Sequence, residues 1–142
     1  MNVRCVTYVS KFSAGNCGYE DLMIGVEHGV VGCGSKVFNS SNPGDLVLIS
    51  ATRNKSRHAV IGVLCEKIES CDAWQKEGGI IWPYNWTYQP LTSTFVYDES
   101  TKEEVQQIAE EHALNPNMLF NPRFCSKKMR PILDRLIEKF RL

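Results

Sequence analysis

The chain has 142 residues, 43% of them apolar and 23% charged, which is the profile of one soluble globular domain with enough material for a real core. Its 16 Lys and Arg balance 16 Asp and Glu, so no global basic field marks a nucleic-acid partner, and a polyanion would have to meet a local patch. No apolar run approaches the roughly 20 residues of a membrane-crossing helix, and Met1-Asn2-Val3-Arg4-Cys5 lacks the apolar stretch of a signal peptide, so the expected location is intracellular, cytoplasmic or nuclear, with no membrane partner.

Residues 3 to 10 alternate Val3, Cys5, Thr7, Val9 against Arg4, Val6, Tyr8, Ser10, which predicts a strand with two unlike faces. Ser13 to Gly18 is a loop by composition. Tyr19, Leu22, Met23 and Val26 follow at helical spacing, predicting a short helix over 19–28 that Gly29 ends. Val30-Val31 reads as a short strand closed by Gly32-Cys33-Gly34. Asn42-Pro43-Gly44-Asp45 is a turn, and Leu46 to Ala51 is a buried apolar strand. A polar loop, 52–57, joins it to a strand from Ala59 to about Glu66, giving an antiparallel hairpin. Residues 71–90 read as irregular and aromatic, and 92–97 as a further strand.

The chain then turns helical. Ser100 with Glu103, or Thr101 with Glu104, offers a capping box, and Val105, Ile108, Ala109 and His112 make one face of the helix behind it. Asn115-Pro116 stops that helix. Met129, Ile132, Leu133, Leu136, Ile137 and Phe140 form a core-facing stripe on a last helix, whose start Pro131 makes late or irregular. Strands cluster in the middle and do not alternate with helices, so the expected class is α+β, a small mixed or antiparallel barrel or sheet flanked by helices, as one domain over 1–142.

Six cysteines, at 5, 17, 33, 65, 71 and 125, form no Cys-x-x-Cys pair, and the histidines at 28, 58 and 112 are not spaced as zinc ligands. Free thiols and no metal or cofactor are expected. Phosphate-loop, nucleophile-elbow and His-Glu-x-x-His signatures are missing, and the glycines at 29, 32 and 34 do not spell a dinucleotide fingerprint. No enzyme is expected.

The aromatic stretch stands out. Trp74, Trp82, Tyr84, Trp86 and Tyr88 fall within fifteen positions and include all three tryptophans. Aromatic faces hold a flat base by dispersion and attract a methylated or partly cationic group. The same rings also suit a plain roof over a core. Two basic groups accompany them: Arg53, Lys55 and Arg57 on the hairpin loop, and Arg123, Lys127, Lys128 and Arg130 around the start of the last helix. Either group suits phosphate, and either suits a solvated surface.

Gly44-Asp45-Leu46-Val47-Leu48-Ile49-Ser50, followed by His58-Ala59-Val60-Ile61-Gly62-Val63, resembles the paired strands of the PUA-like superfamily, in its EVE and YTH branches. Lys11-Phe12-Ser13 before the first helix and Gly29 to Ser35 after it sit where those families build one wall of a base pocket. Members bind extruded, modified bases in RNA or DNA, without catalysis. The resemblance implies a pocket of Lys11, Ser13, Asn16, Val31, Gly32, Cys33, Trp74, Trp82 and Trp86, with phosphates held by Arg53, Lys55, Arg57, Arg123, Lys127 and Lys128. The nucleic acid is then single-stranded or has a flipped base, and backbone groups near Ser10-Lys11 and Val31-Gly32 read the base edge. Where those families place a tryptophan, this chain has Val31, so a wall must come from Trp74, Trp82 or Trp86. Two other readings stand beside it: a small enzyme on an ASCH-like scaffold using Lys11, Glu27 and His28, and a protein-interaction module without a small ligand.

Overall fold

The computed structural model describes residues 2–9, 18–76 and 82–142. Its elements run β1 (Val3–Tyr8), α1 (Gly18–His28), β2 (Val30–Cys33), α2 (Lys36–Asn39), β3 (Leu46–Arg53), β4 (Ser56–Ile68), α3 (Ala73–Lys76), β5 (Tyr84–Pro90), β6 (Phe95–Val96), α4 (Glu99–Glu111) and α5 (Arg130–Phe140). Short 3-10 turns occupy Pro116–Met118 and Lys127–Met129.

The strands form one mixed sheet of order β1-β3-β4-β5-β2, with β6 also on β4. β1 lies parallel to β3, and every other pairing is antiparallel. The Asp45 carboxylate fixes the turn into β3 by accepting the Asn2 and Asn42 backbone N–H groups at 2.9 and 2.8 Å. It thereby ties the start of β1 to the start of β3. The β3–β4 hairpin is tighter than its sequence predicts: Arg53 pairs with Ser56, leaving only Asn54 and Lys55 as the loop.

β4 is the spine. Its first half pairs with β3 on one edge, while β6 and β5 follow one another along its other edge, with a register shift between Leu64 and Glu66. Such a shift bends and twists a strand. The sheet accordingly curls into a half-barrel whose edges, β1 and β2, meet: the Tyr8 hydroxyl donates to the Gly32 carbonyl at 2.8 Å and accepts the Gly32 N–H at 2.9 Å.

Alternation along the strands splits the core in two. Val3, Cys5, Leu46, Leu48, Ala59, Ile61 and Phe95 face one side, covered by Val105 and Ala109 of α4 and by Ile132, Leu133, Leu136 and Ile137 of α5. Val6, Tyr8, Val31, Val47, Ile49, Val60, Leu64, Trp86 and Tyr88 face the other side, closed by Leu22 of α1 and Phe38 of α2. The α+β class, with a small curled sheet flanked by helices, is as the sequence predicts.

Three local readings are corrected. The strand expected over 92–97 is paired only at Phe95 and Val96, and residues 84–90, read as irregular, form β5. The cap of α4 is Asp98, whose carboxylate accepts the Thr101 N–H at 2.9 Å, so neither capping box is used. α5 has the irregular start that Pro131 predicts: the 3-10 turn Lys127–Met129 leads into Arg130, and Pro131 sits in the first α-turn, where the missing N–H costs nothing.

Candidate functional site

The meeting of the two sheet edges gathers several of the sequence-predicted residues. β1 ends at Tyr8, and α1 begins so close to it that a Cβ on Gly18 would lie 2.6 Å from the Tyr8 carbonyl oxygen. The described residues on either side of the 10–17 segment thus lie side by side. Lys11, Ser13 and Asn16 belong to that segment and lie outside the described residues.

Across the junction stands β2. A Cβ on Gly32 would lie 2.5 Å from the Cβ of Trp82, so only glycine lets this ring lie over the strand. The Trp82 ring also sits 5.4 Å from the Tyr8 ring, at 45°. Its carbonyl accepts the Asn85 side-chain amide at 2.7 Å, and the Asn85 oxygen accepts the Trp74 indole N–H at 2.8 Å. Asn85 is 1% exposed, so this relay is a buried, matched polar link that fixes the two tryptophans relative to β5.

The three tryptophans have different roles. Trp82 is half-buried. Trp74 is fully buried and Trp86 is 2% exposed, so both are core side chains and offer no open face for stacking. Burial therefore removes Trp74 and Trp86 from the expected set of walls. Trp86 lies opposite Val31 in the ladder, and Val31 is fully buried too. The Trp86 indole N–H is buried and has no hydrogen-bond partner among the described residues. Cys33 is half-buried at the end of β2, and burial pushes its thiol pKa up.

A second correction concerns the backbone. Gly32 was expected to offer its N–H and carbonyl to a base edge, but both are already engaged by the Tyr8 hydroxyl. Tyr8 and Asn85 are the site residues that sequence reasoning missed. Their contacts span 24 and 11 residues, and no local pattern encodes them. The alternation of Tyr84, Trp86 and Tyr88 with Asn85 and Thr87 was the available signal for β5.

The basic residues separate into two places. Tyr8 pairs with Ala51, so the hairpin tip projects beyond the end of β1 where the 10–17 segment departs. There Arg53 lies over the Tyr19 ring at 4.8 Å, and Tyr19 meets His58 edge-on at 4.8 Å. Arg53 and Lys55 are exposed. Arg57 is turned inward, donating to the Ser50 hydroxyl at 3.1 Å and lying 4.4 Å over the Phe120 ring, which commits it to the fold. Lys127 and Lys128 instead share a groove with Asn2, Val3 and Arg4 at the other end of β1. Six strand residues span about 17 Å, so the structure does not bring the two basic groups together. Arg123 is exposed in the segment between them.

Glu27 and His28, named for the enzyme reading, are exposed at the far end of α1 from Gly18. Eleven helical residues put about 16 Å between those ends. Among the described residues no cluster of three His, Cys, Asp or Glu side chains is placed to hold a metal ion, and no helix is long and apolar enough to cross a membrane. No family model, curated protein or solved structure matches the chain.

Proposed function

We propose that the chain is a non-catalytic reader of a modified, most simply methylated, base in RNA or DNA, with the base held against Trp82. One observation carries the reading. The single partly exposed tryptophan lies over Gly32 and against the Tyr8 ring, at the junction of the sheet edges. Arg53 and Lys55, exposed at the hairpin tip on the same side, supply positive charge for a phosphate next to the base. The likeness of the 44–63 segment to EVE and YTH domains, which take extruded bases, supports the same assignment.

The energetics suit this chemistry. Extruding a base costs a few kcal/mol. Stacking on one aromatic ring returns about 1–3 kcal/mol, and charge-assisted contacts to phosphate make up the rest. Lys127 and Lys128 lie at the other end of β1, so in this reading they grip a more distant part of the nucleic acid or none.

The test is a tryptophan-fluorescence titration with short single-stranded oligonucleotides, in matched pairs with and without N6-methyladenine or 5-methylcytosine, at two salt concentrations. Trp74 and Trp86 are buried, so Trp82 dominates any ligand-dependent change. The expected result is quenching by one modified oligomer well below the concentration its unmodified twin requires. Trp82→Ala should weaken that binding by about 1–3 kcal/mol, roughly 5- to 150-fold in Kd. Equal response to every oligomer, or no response at all, overturns the proposal.

A further inference from the structure

A separate feature lies along the other end of the seam between the sheet edges. Cys5 of β1 and Cys125 of the segment before α5 are neighbours in one buried cluster. Both line a crevice of about 70 Å3 that also touches Arg4, Cys33, Ser35 and Pro122. Each cysteine is 8% exposed, so the crevice is the route by which a small molecule reaches them. A water needs about 10–15 Å3 of such space, so a hydroperoxide fits.

We propose that Cys125 and Cys5 form a hydroperoxide-oxidisable pair that closes to a Cys5–Cys125 disulfide. Three features of the site support this assignment. β1 and the segment that leads to Cys125 are tied together, because the Thr7 hydroxyl, two residues along β1 from Cys5, donates to the Phe120 carbonyl at 2.7 Å. The two thiols are inequivalent: Cys125 also lines the neighbouring groove with Lys127 and Lys128, which Cys5 does not, and the proximity of the two raises the Cys5 pKa and lowers that of Cys125. The thiolate is the nucleophile, so Cys125 attacks and Cys5 resolves. Positive charge also stands near, since Arg57 favours the ionised form of Cys5 and Arg4 lines the crevice.

The chemistry balances. The Cys125 thiolate attacks one peroxide oxygen; an S–O bond forms as the O–O bond breaks, leaving a sulfenic acid and hydroxide. The Cys5 sulfur then displaces that oxygen, forming the S–S bond as the S–O bond breaks, and the oxygen leaves as water with the Cys5 proton. Two thiols lose two electrons, and the peroxide is reduced.

The experiment is stepwise hydrogen peroxide treatment of the reduced full chain, followed by alkylation and tryptic mass mapping. Cleavage after Arg4, Lys11, Arg123 and Lys127 isolates the two thiols in residues 5–11 and 124–127. The expected first cross-link joins those two peptides, ahead of any change at exposed Cys65 or half-buried Cys71. In Cys5→Ser, a sulfenic-acid probe should label Cys125; in Cys125→Ser, Cys5 should stay unmodified at the same dose. A first cross-link between any other pair, Cys5 with Cys33 included, overturns the proposal. So does oxidation confined to Cys65 and Cys71.

Discussion

The two faces of the sheet are built from different materials. On the α4–α5 face the buried side chains are mostly aliphatic, with Phe95 stacked on Phe140 at 4.3 Å as an aromatic pair. On the opposite face Tyr8, Trp86, Tyr88 and Phe38 are packed among the aliphatics, with Trp74 in an adjoining cluster. There the polar atoms matter: Tyr8 joins the sheet edges, Asn85 links two tryptophans, and the Trp86 N–H finds no partner among the described residues. A dry aliphatic core supplies stability through area and fit alone. An aromatic, partly polar one gives up some of that for directional contacts, which is where recognition of a planar ligand is expected.

The sharpest way to separate the two faces is to damage each in turn. Leu133→Ala removes a fully buried side chain from α5 and should cost about 2–5 kcal/mol, read as a lower urea midpoint. Oligonucleotide affinity of the remaining folded protein should not change. Tyr8→Phe keeps the ring but strands the Gly32 N–H and carbonyl. With each stranded group costing about 1–3 kcal/mol, a loss of about 2–4 kcal/mol is expected, together with altered Trp82 emission. Were Tyr8→Phe to leave both stability and emission intact, the seam would not depend on that hydroxyl. Gly32→Ala places a methyl against Trp82 and should cost about 1–3 kcal/mol by overpacking, with the larger spectral shift.

The contrast between the faces also explains what the sequence made legible. Period-3.6 stripes in α1, α4 and α5 and the Asn42 to Asp45 turn declare themselves locally, because each rests on spacing or turn chemistry. The helices of the aliphatic face could therefore be read, though not the extent of β6 or the cap of α4. The aromatic face could not. Trp74, Trp82 and Trp86 look alike in sequence, and only β5 pairing with β2 decides that Trp86 turns inward beside Val31 while Trp82 caps Gly32. The Tyr8–Gly32 closure depends on the curl of the whole sheet. Asp98 was passed over as a cap because two Ser/Thr-x-x-Glu patterns follow it within three residues.

Alkaline pH probes both faces more gently. Burial pushes Tyr88 and Tyr97 up to about 12, the latter despite Arg57 nearby. An unfolded tyrosine ionises near pH 10, so the folded protein holds these protons more tightly. Their contribution is therefore complete below about pH 10 and declines as pH rises towards about 12. Tyrosinate absorbance should lag behind that of the denatured chain in this window, and Tyr88→Phe should move alkaline unfolding to higher pH. Coincident titration of folded and denatured protein would mean that these rings are solvated.

The smallest effect discriminates most cleanly between scaffold and interface. Asn54 and Lys55 both take positive φ, 51° and 66°, as a two-residue hairpin loop demands. Asparagine tolerates that conformation; lysine pays a steric penalty of about 1–2 kcal/mol there, against about 0.5–1 kcal/mol of extra chain entropy for glycine. Lys55→Gly should thus raise stability by about 0.5–1 kcal/mol. If the hairpin tip holds a phosphate, the same change should weaken oligonucleotide binding and lower the salt slope by roughly 0.7, the value of one contact to a single strand. A protein that becomes more stable and binds less well marks Lys55 as kept for its charge. One that becomes more stable and binds equally well removes the hairpin tip from the interface and leaves Trp82 to carry recognition without it.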